Sequence, residues 1–503
     1  MNIAEVVSGR AKLKGIRRAL LSVAARNLLA DQLRALLPAE AVVGPLRIRE
    51  AQFKPGRKLT AYYDAAVYAE GKKAACVRPI AVTWESETGA DRSGEMVDIT
   101  KAVAEAVRRG VAAPFRQLTA DLPELNMHMR ISPLGARFTQ LARLSDPQHV
   151  RTMLADTYAS ANGAGDRRRI RDYKVTSVKY RPGRRHVLRY DPEDPGSGET
   201  VFAKVYIGDK EARTPNRASN RFRRKDGART FRVAGEVAGW LAERGGLNCL
   251  RPLAYVAEDA VVLYPRLCGV PLSDYARRLN ADTAKWLRRA GEAVCALHQL
   301  PVALASRPEH GLAAEIRSIV RNSSHIRALL PDVGSVMEAL LDRAQELHDR
   351  LSQEPPTFTH GDLKTEHLWV CAGGLTVMDL DSSRLADPAL DVGYFLADWQ
   401  FRQPHLDQAG TDEMYESFLA GYVPRALKDF LMRVRLCEAV ELVKCAVRRV
   451  PLFENDWALR TAELVERSQA LIHDVQRTLV LRGRFPLARS FDPRSAGKSR
   501  YLH

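Results

Sequence analysis

The sequence predicts an α+β fold, with strands concentrated in the first half of the chain and helices in the second. Apolar residues alternate around two Pro-Gly turns, which predicts β-hairpins within residues 47–84 and 180–206. Helical periodicity predicts three helices near the carboxyl end, at roughly 411–422, 427–449 and 457–482. A chain of 503 residues is long enough for two or three domains.

The two predicted hairpins share a sequence pattern at an offset of 127 positions, which predicts an internal repeat. The shared pattern is aromatic-basic-Pro-Gly-Arg-basic followed by Tyr-Asp, beginning at Phe53 in the first copy and at Tyr180 in the second. The second copy continues into an apolar-x-Ala-Lys-apolar strand that carries Lys204. In the first copy, a one-residue gap places Arg78 at the position of this lysine. The alternative is two unrelated hairpins with similar turn residues.

Helices are predicted on either side of the first hairpin. A single amphipathic helix precedes it and ends before Pro38, and a second helix follows it at about 98–110. In the second copy, a basic loop and then a helix over about 228–244 follow the lysine strand, and Glu236 lies inside that helix.

Residues 358–399 carry most of the side chains that are suited to catalysis. They read as strand, loop, strand, turn, strand, loop and helix, and they contain His360-Gly361-Asp362 and Asp379-Leu380-Asp381. This order predicts that Asp362 and Asp379 lie at neighbouring strand or loop ends and face one cleft. Two such carboxylates suit phosphoryl transfer, because one orients a substrate hydroxyl while the other holds Mg²⁺ on nucleotide phosphates. The alternative is an acidic loop beside a buried hairpin.

The same stretch resembles the aminoglycoside phosphotransferase and choline kinase superfamily, which is similar to protein kinases in fold. The family pattern is His-Gly-Asp, four residues, Asn, a hairpin, an Ile/Val-Asp-x-Asp/Glu segment, and Asp-Pro. This chain matches it at residues 360–362, 377–381 and 387–388. The resemblance implies a two-lobed fold, with a small β-rich lobe and a large, mainly helical lobe. It also implies that the cofactors are ATP and Mg²⁺ or Mn²⁺.

The resemblance implies a role for each candidate site residue. Asp362 accepts or orients the proton of the substrate hydroxyl, and Asp379 ligates Mg²⁺. Lys204 neutralises the α- and β-phosphates and is held by Glu236 on the next helix. Asp391, just before an apolar helix, ties down the catalytic loop.

Further positions follow from the same resemblance. Residues 263–272 resemble the family's hinge, whose backbone groups bond adenine. His298 ends a helix and is expected to be structural. The helices after the core shape the acceptor pocket in this superfamily. The spacing of the acidic residues on these helices fits a position in that pocket and a position facing water equally well: Glu413, Glu416, Glu438, Glu441, Glu463 and Glu466.

His367 departs from the family pattern, which has Asn five residues after the catalytic Asp. Mg²⁺ prefers oxygen ligands, and imidazole suits softer metals, so three interpretations stay open. His367 binds a second metal ion, particularly Mn²⁺. Alternatively, it hydrogen-bonds a metal-bound water or the Asp379 carboxylate, which we favour. In the third interpretation the second metal site is lost and catalysis is slow.

Four segments are predicted along the chain. They are an α+β cap-like domain with a degenerate hairpin over 1–147, a kinase-like small lobe over 170–268, a kinase-like large lobe over 269–482 and a basic tail over 483–503. An extra part ahead of the kinase core is similar in layout to maltokinases, which are sugar kinases of the superfamily.

The formal net charge of +17 comes partly from arginine-rich runs at 167–171 and 221–225. A basic surface can attract nucleic acid, but neither run has the series of aromatic residues that single-strand binders use for stacking. A solvated basic surface is therefore favoured. The seven cysteines are scattered without a Cys-x-x-Cys pair, which predicts reduced thiols and a cytoplasmic location. No apolar run approaches the roughly 20 residues that span a bilayer.

These observations favour an ATP-dependent phosphotransferase that acts on a hydroxyl of a small molecule, and a sugar or sugar-like compound is the favoured acceptor. One alternative is a pseudokinase that binds nucleotide or a partner without efficient transfer. Another is a basic nucleic-acid-associated protein. No motif names the acceptor.

Overall fold

A computed structural model describes most of the chain as two compact units. The described residues are 5–6, 8, 10–68, 75–86, 93–135, 137–162, 172–181, 185–194, 198–207, 226–280, 282–305, 310–405, 408–422 and 428–481. The first unit comprises Met1–Gly269, Thr376–Ser382 and Pro451–Phe453. The second unit comprises Val270–Leu375, Ser383–Val450 and Glu454–His503.

The first half of the first unit is a five-stranded antiparallel sheet preceded by two helices. Its strand order is β1-β2-β3-β5-β4. The Tyr63 hydroxyl lies on the buried side of the sheet and donates to the Leu20 carbonyl oxygen at 3.3 Å. The elements in chain order are α1 (Leu13–Leu21), α2 (Val23–Ala35), β1 (Val42–Lys54), β2 (Lys58–Tyr68), β3 (Cys76–Glu85), α3 (Ser93–Arg108), β4 (Thr119–Leu122) and β5 (Met127–Ile131).

The single amino-terminal helix that the sequence predicted is two helices. The Ser22 backbone is extended and ends α1. The Ser22 hydroxyl accepts a hydrogen bond from the Ala25 N–H at 3.2 Å, which caps the start of α2.

The second half of the first unit is also a five-stranded antiparallel sheet, in the order β10-β11-β8-β7-β6. Apolar residues of α4 and α5 pack on one face of this sheet against Leu188, Tyr190 and Ala203. The elements are α4 (Leu141–Leu144), α5 (Pro147–Asn162), β6 (Tyr173–Arg181), β7 (Arg185–Pro192), β8 (Val201–Val205), α6 (Gly227–Arg244), β9 (Leu247–Cys249), β10 (Ala254–Val256) and β11 (Val261–Pro265).

Both predicted hairpins form, as β1–β2 and β6–β7. The register shows which residue of the first copy corresponds to the lysine. Lys204 pairs with Val187, and the residue 127 positions before Val187 is Thr60, which pairs with Thr83. The position of the lysine is therefore taken by Thr83, and the prediction that placed Arg78 there was wrong. Strand β3 runs from Cys76 to Glu85, so the counterpart of Lys204 lies five residues further along it than Arg78.

The second unit is mainly helical. Its short strands pair as β12 with β14 and β13 with β16. The three predicted carboxyl-terminal helices are present as α13, α14 and α15. The elements are β12 (Val270–Pro271), α7 (Leu272–Arg277), α8 (Thr283–His298), α9 (Leu312–Asn322), α10 (Ser324–Leu329), α11 (Pro331–Asp349), β13 (Thr357–Thr359), β14 (Leu368–Cys371), β15 (Gly374–Val377), β16 (Arg384–Ala386), α12 (Pro388–Arg402), α13 (Gln408–Tyr422), α14 (Lys428–Arg448) and α15 (Trp457–Leu481).

Helices α8 and α13 approach so closely that glycine is needed at the contact. A Cβ atom on Gly421 would lie 1.8 Å from the Arg288 carbonyl oxygen, and one on Gly291 would lie 2.1 Å from the Phe418 carbonyl oxygen. Both neighbours are main-chain atoms, so a side chain at either position would push the helices apart.

Several predicted segments lie outside the described residues. These are the Pro-Gly turn of the second hairpin at 182–184, the arginine-rich run at 167–171, the basic loop at 208–225 and the tail at 483–503. Among the helices that the structure does describe, none has both the length and the apolar character that crossing a bilayer requires.

Candidate functional site

A lysine–aspartate cluster in the first unit consists of Lys204, Tyr206, Asp379 and Asp381. The Lys204 ammonium lies 2.6 Å from an Asp379 carboxylate oxygen and 2.8 Å from an Asp381 oxygen. The Tyr206 hydroxyl donates to the other oxygen of Asp381 at 2.9 Å. Burial and the neighbouring carboxylates raise the pKa of Tyr206 well above its ordinary value, so this hydroxyl remains a donor.

The position of Lys204 follows from the alternation of strand β8. Val201, Ala203 and Val205 face the core of the sheet, so Lys204 faces the opposite side. Strand β8 lies between β7 and β11, which makes it a rigid support for the ammonium group.

Asp379 has an unusual backbone conformation, with a φ of 64° in the left-handed region. Aspartate tolerates this region better than most residues, and such conformations concentrate at functional sites. The preceding segment is fixed because the Leu250 N–H donates to the Val377 carbonyl oxygen at 2.9 Å. Asp381 follows in a short 3₁₀ turn and is fully buried.

The predicted ion pair between Lys204 and Glu236 is not formed. Glu236 is exposed on α6 and makes no ion pair within the part of the chain that the structure describes. The buried stripe of α6 contains Val233, Val237 and Leu241, and Glu236 lies off that stripe. Lys204 instead forms ion pairs with Asp379 and Asp381.

The His-Gly-Asp loop in the second unit, defined as residues 360–367, organises Asp362. The Lys364 ammonium lies 2.9 Å from one carboxylate oxygen of Asp362 and 3.1 Å from the other. The Asp362 N–H donates to Nδ1 of His360 at 3.3 Å. Nδ1 of His367 donates to the Asp362 carbonyl oxygen at 2.7 Å, because a carbonyl can only accept. The two imidazole rings stack with centroids 5.3 Å apart.

Two buried aspartates of α12 anchor this loop. Asp391 accepts hydrogen bonds from the His360 N–H at 2.5 Å and the Gly361 N–H at 2.9 Å, which confirms its predicted role. Asp398 accepts from the Thr365 N–H at 2.8 Å. The φ of Gly361 is 76°, so glycine suits the sharp bend of the loop.

His298 supports Asp391 from behind and is structural, as predicted. Its Nε2 lies 3.4 Å from the Asp391 carboxylate and its Nδ1 lies 2.7 Å from the Tyr422 hydroxyl. Burial raises the pKa of Asp391, but His298, His360 and the Gly361 N–H lower it by more, so the pKa lies below its ordinary value. The anchor therefore remains ionised.

The charges around Asp362 keep it ionised as well. Burial raises the pKa of Asp362, but Lys364, His367 and Lys444 lower it by more, and the pKa falls well below its ordinary value. A carboxylate of this kind is a weak base, and its main capacity is to orient a hydroxyl and receive its proton late in the reaction.

Lys444 belongs to a network of buried charges on α14 and its neighbours. Its ammonium lies 2.8 Å from a Glu441 oxygen, 3.5 Å from a Glu315 oxygen and 4.1 Å from the centre of the Tyr394 ring. The same helix buries Glu438, which lies 3.3 Å from Arg435. From the sequence, Glu438 and Glu441 fitted a pocket position and a water-facing position equally well, and in the structure both are buried.

Lys364, Lys444 and Asp398 are site residues that the sequence reasoning missed. Lys364 could have been found, because it is the cation nearest to Asp362 within the motif itself. Lys444 and Asp398 gave no comparable signal, since their neighbours depend on how α12 and α14 pack.

The lysine–aspartate cluster fits a divalent cation. Asp379 and Asp381 converge on one positive group, the Lys204 ammonium, and carboxylate oxygens are the ligands that Mg²⁺ prefers. Among the described residues, no group of three or more His, Cys, Asp or Glu side chains is arranged to hold a metal ion. Phosphate oxygens and water would therefore complete the ligand set, as is usual for Mg²⁺.

The strand lysine that meets two aspartates after a hairpin, and the anchored His-Gly-Asp loop, are the features on which the predicted resemblance depends. The predicted fold class, with its β-rich part and its mainly helical part, is confirmed. Residues 197–430 match the model of the family described as the phosphotransferase enzyme family. The predicted resemblance is confirmed over this part of the chain, which includes Lys204, Asp362 and Asp379.

Several solved structures are similar to this chain. A choline/ethanolamine kinase family protein from Mesorhizobium loti has a TM-score of 0.42 and 16% identity, covering 66% of this chain and 97% of that one. Wild-type aminoglycoside 2′-phosphotransferase-IIIa in its GDP complex has a TM-score of 0.41 and 14% identity, covering 65% and 99%. A choline kinase from Cryptosporidium parvum Iowa II has a TM-score of 0.41 and 11% identity, covering 67% and 98%. A search of curated proteins found no match.

Proposed function

We propose that this protein is an ATP-dependent phosphotransferase whose acceptor is a hydroxyl group of a small molecule. The observation that carries the proposal is the state of Asp362, an ionised carboxylate in a loop fixed by Asp391 and Asp398. Phosphoryl transfer needs little covalent chemistry from the protein and depends on positioning and charge stabilisation. The family match over residues 197–430 supports the same reaction class.

In the proposed reaction, the acceptor oxygen forms a bond to the γ-phosphorus while the bond from that phosphorus to the β–γ bridging oxygen breaks. ADP leaves, and the hydroxyl proton passes to Asp362. Asp379 and Asp381 would hold Mg²⁺, which neutralises charge on the phosphates when bound. Lys204 contributes a fixed positive charge to the phosphates from its strand. Glu236 has no part in this proposal, because it makes no ion pair with Lys204.

His367 acts in this proposal by fixing the backbone of Asp362. His367 lies at the end of the loop, and its Nδ1–H donates to the Asp362 carbonyl oxygen, so this bond ties the end of the loop to the backbone of Asp362. The metal-ligand interpretation of His367 makes a different prediction. We expect His367→Asn to retain the same preference between Mg²⁺ and Mn²⁺ as the wild type, because asparagine can donate to the same carbonyl. A shift of that preference toward Mg²⁺ in the variant would instead indicate a metal-related role.

We further propose that the acceptor is a sugar or sugar-like compound rather than a polycation. In the superfamily that this chain resembles, the helices after the core shape the acceptor pocket. Here two buried carboxylates of that region are already paired with cations of the protein, Glu438 with Arg435 and Glu441 with Lys444. A polycationic acceptor needs carboxylates that are available to it, whereas a neutral polyol needs hydrogen-bonding groups.

The test is a transfer assay with γ-labelled ATP and Mg²⁺ against glucose, maltose, kanamycin and choline as acceptors. We expect label on a neutral sugar and at least a hundredfold loss of transfer in Asp362→Asn, which keeps the shape of the side chain but has no charge. Lys204→Met should lose nucleotide binding. Transfer to kanamycin or choline alone would overturn the choice of acceptor. Tight ATP binding without transfer to any acceptor would favour the pseudokinase, and salt-sensitive RNA binding without ATP binding would favour the nucleic-acid-associated protein.

A further inference from the structure

The first unit contains the same five-stranded sheet twice. We call residues 13–135 the first lobe and residues 141–269 the second lobe. The sheet order is β1-β2-β3-β5-β4 in the first lobe and β6-β7-β8-β11-β10 in the second, so the third strand joins the fifth in both. A helix follows the third strand in each lobe, as α3 and α6. The repeat therefore extends far beyond the hairpin that the sequence revealed.

Local details repeat at matching places. The turn between the last two strands has a left-handed residue with a φ of 45° in each lobe, Asn126 in the first and Ala260 in the second. The Tyr63 hydroxyl donates to the Leu20 carbonyl oxygen, and the Tyr190 hydroxyl, 127 positions later, donates to the Leu144 carbonyl oxygen. The helices that precede each sheet therefore belong to the repeat as well.

The face of the second lobe that carries Lys204 has a counterpart in the first lobe. In the first lobe the register places Thr83 there, and its hydroxyl is hydrogen-bonded to Thr60 at 3.2 Å. The first lobe thus has no ammonium group at this position, and the two threonines satisfy each other.

A side chain of the second lobe covers this face of the first lobe. Tyr180 is buried against Tyr62 and Ala81, and its hydroxyl donates to the Leu134 carbonyl oxygen at 2.6 Å. Burial raises the pKa of Tyr180, so the hydroxyl remains a donor. The neighbouring Arg181 forms an ion pair with Glu50 of the first lobe.

The contacts of Tyr180 lie at the counterparts of a residue beside Lys204 and of the hinge, whose backbone groups bond adenine in the superfamily that this chain resembles. The strand register matches Ala81 to Phe202, the residue two before Lys204 and on the same face. Asn126 and Ala260, the left-handed residues of the two corresponding turns, lie 134 positions apart in the sequence. The residue 134 positions after Leu134 is Cys268, which lies in the hinge. Tyr180 therefore presents an aromatic ring to the counterpart of Phe202 and a donor to the counterpart of a hinge carbonyl.

We propose that the first lobe is a duplicate of the nucleotide-binding lobe whose nucleotide face serves as an internal docking surface, with the Tyr180 ring of the second lobe seated in the counterpart of the adenine site. The proposal rests on the proposed function in one respect, that the second lobe binds nucleotide. The first lobe then binds no nucleotide of its own. Its role is to hold β6 and, through the β6–β7–β8 ladder, to steady the strand that carries Lys204.

The experiment measures hydrogen exchange and nucleotide binding on the full chain in three variants. Tyr180→Phe keeps the ring and loses the hydrogen bond to the first lobe. Tyr180→Ala also empties the docking surface. Tyr190→Phe is the matched control, because it loses a similar buried hydroxyl bond within the second lobe.

We expect amides in β2, β3 and β5 to exchange about fivefold faster in Tyr180→Phe and at least tenfold faster in Tyr180→Ala. In Tyr190→Phe these first-lobe amides should exchange at the wild-type rate. Wild-type exchange in the first lobe of Tyr180→Ala would overturn the docking role. This result does not depend on whether the protein is a kinase.

Nucleotide stoichiometry tests the second part of the proposal. Calorimetric titration with ATP and Mg²⁺ should give one site per wild-type chain and no site of wild-type affinity in Lys204→Met. A remaining site of wild-type affinity in Lys204→Met would show that the first lobe binds nucleotide and would overturn the proposal. Absence of binding in the wild type would overturn the proposed function instead, and the exchange result for Tyr180 would still decide the docking role.

Discussion

Asp391→Asn tests how the His-Gly-Asp loop at residues 360–367 is held. The wild-type carboxylate is fully buried and accepts two main-chain hydrogen bonds, from the N–H groups of His360 and Gly361. Asparagine has nearly the same shape but no charge, and its amide group has one acceptor oxygen. The substitution therefore removes one of the two bonds and weakens the other.

The expected magnitude follows from the type of bond. A hydrogen bond to a charged group contributes roughly 1.5 to 3 kcal/mol, so losing one and weakening the second costs roughly 2 to 4 kcal/mol of unfolding free energy. Urea unfolding followed by circular dichroism measures this loss. Because the loop carries Asp362, we also expect kcat for phosphoryl transfer to fall at least tenfold. Nucleotide affinity should change less than twofold, since Asp391 is not part of the lysine–aspartate cluster.

The matched control is Asp342→Asn, which removes an exposed carboxylate from α11 and should leave both measurements unchanged. The pH dependence adds a second check. The pKa of Asp391 is lowered in the folded protein, so its contribution is present above the unfolded-state pKa of about 3.9 and is lost as pH falls through the folded value. The stability difference between wild type and variant should therefore shrink in acid. If Asp391→Asn kept wild-type stability and kcat at pH 7, the anchoring role would be refuted.

Three further predictions concern other parts of the molecule. Lys204→Met should weaken ATP binding at least tenfold in calorimetry, and Glu236→Gln should change it less than twofold. Equal losses of affinity in the two variants would show that Glu236 does support Lys204 in nucleotide binding. Gly421→Ala should lower the unfolding free energy by about 1 to 3 kcal/mol through overpacking, whereas Gly239→Ala, which meets open space in α6, should raise it by about 0.5 to 1 kcal/mol. Lys364→Met should raise the pKa of the Asp362 carboxyl and move the acidic limb of the kcat/KM profile for the proposed transfer to higher pH; an unmoved limb would contradict the ion pair.

Residues within one short motif could be predicted from the sequence. Asp362 and Asp379 were found because their spacing and the hairpin between them are local properties. Lys204 was found because a strand alternates strictly, so its neighbours Val201 and Val205 show which way it points.

Residues whose direction depends on packing could not be predicted. Glu236 was assigned from its place in the next helix, but which face of α6 is buried is set by the sheet it covers. Arg78 was assigned by allowing a one-residue gap, and in a strand a shift by one position moves a side chain to the other face. The burial of Glu441 depends on a cation three residues later, Lys444, and on the helices around both.

The two kinds of buried carboxylate in the second unit have opposite responses to acid. Burial raises the pKa of Asp398, but Arg449 and Arg402 lower it by more, to about 2, and the pKa values of Asp362 and Asp391 are also lowered. For Glu438 and Glu441, burial raises the pKa by more than the neighbouring cations lower it, so both pKa values lie above the ordinary value. As pH falls from neutral, the two glutamates take up protons first, and this uptake favours the folded state because their folded pKa is the higher one. Protonation of the three aspartates lowers the stability of the folded state, and it occurs only at lower pH. The loop that holds the proposed catalytic carboxylate therefore remains anchored at a pH where Glu438 and Glu441 of α14 are already protonated.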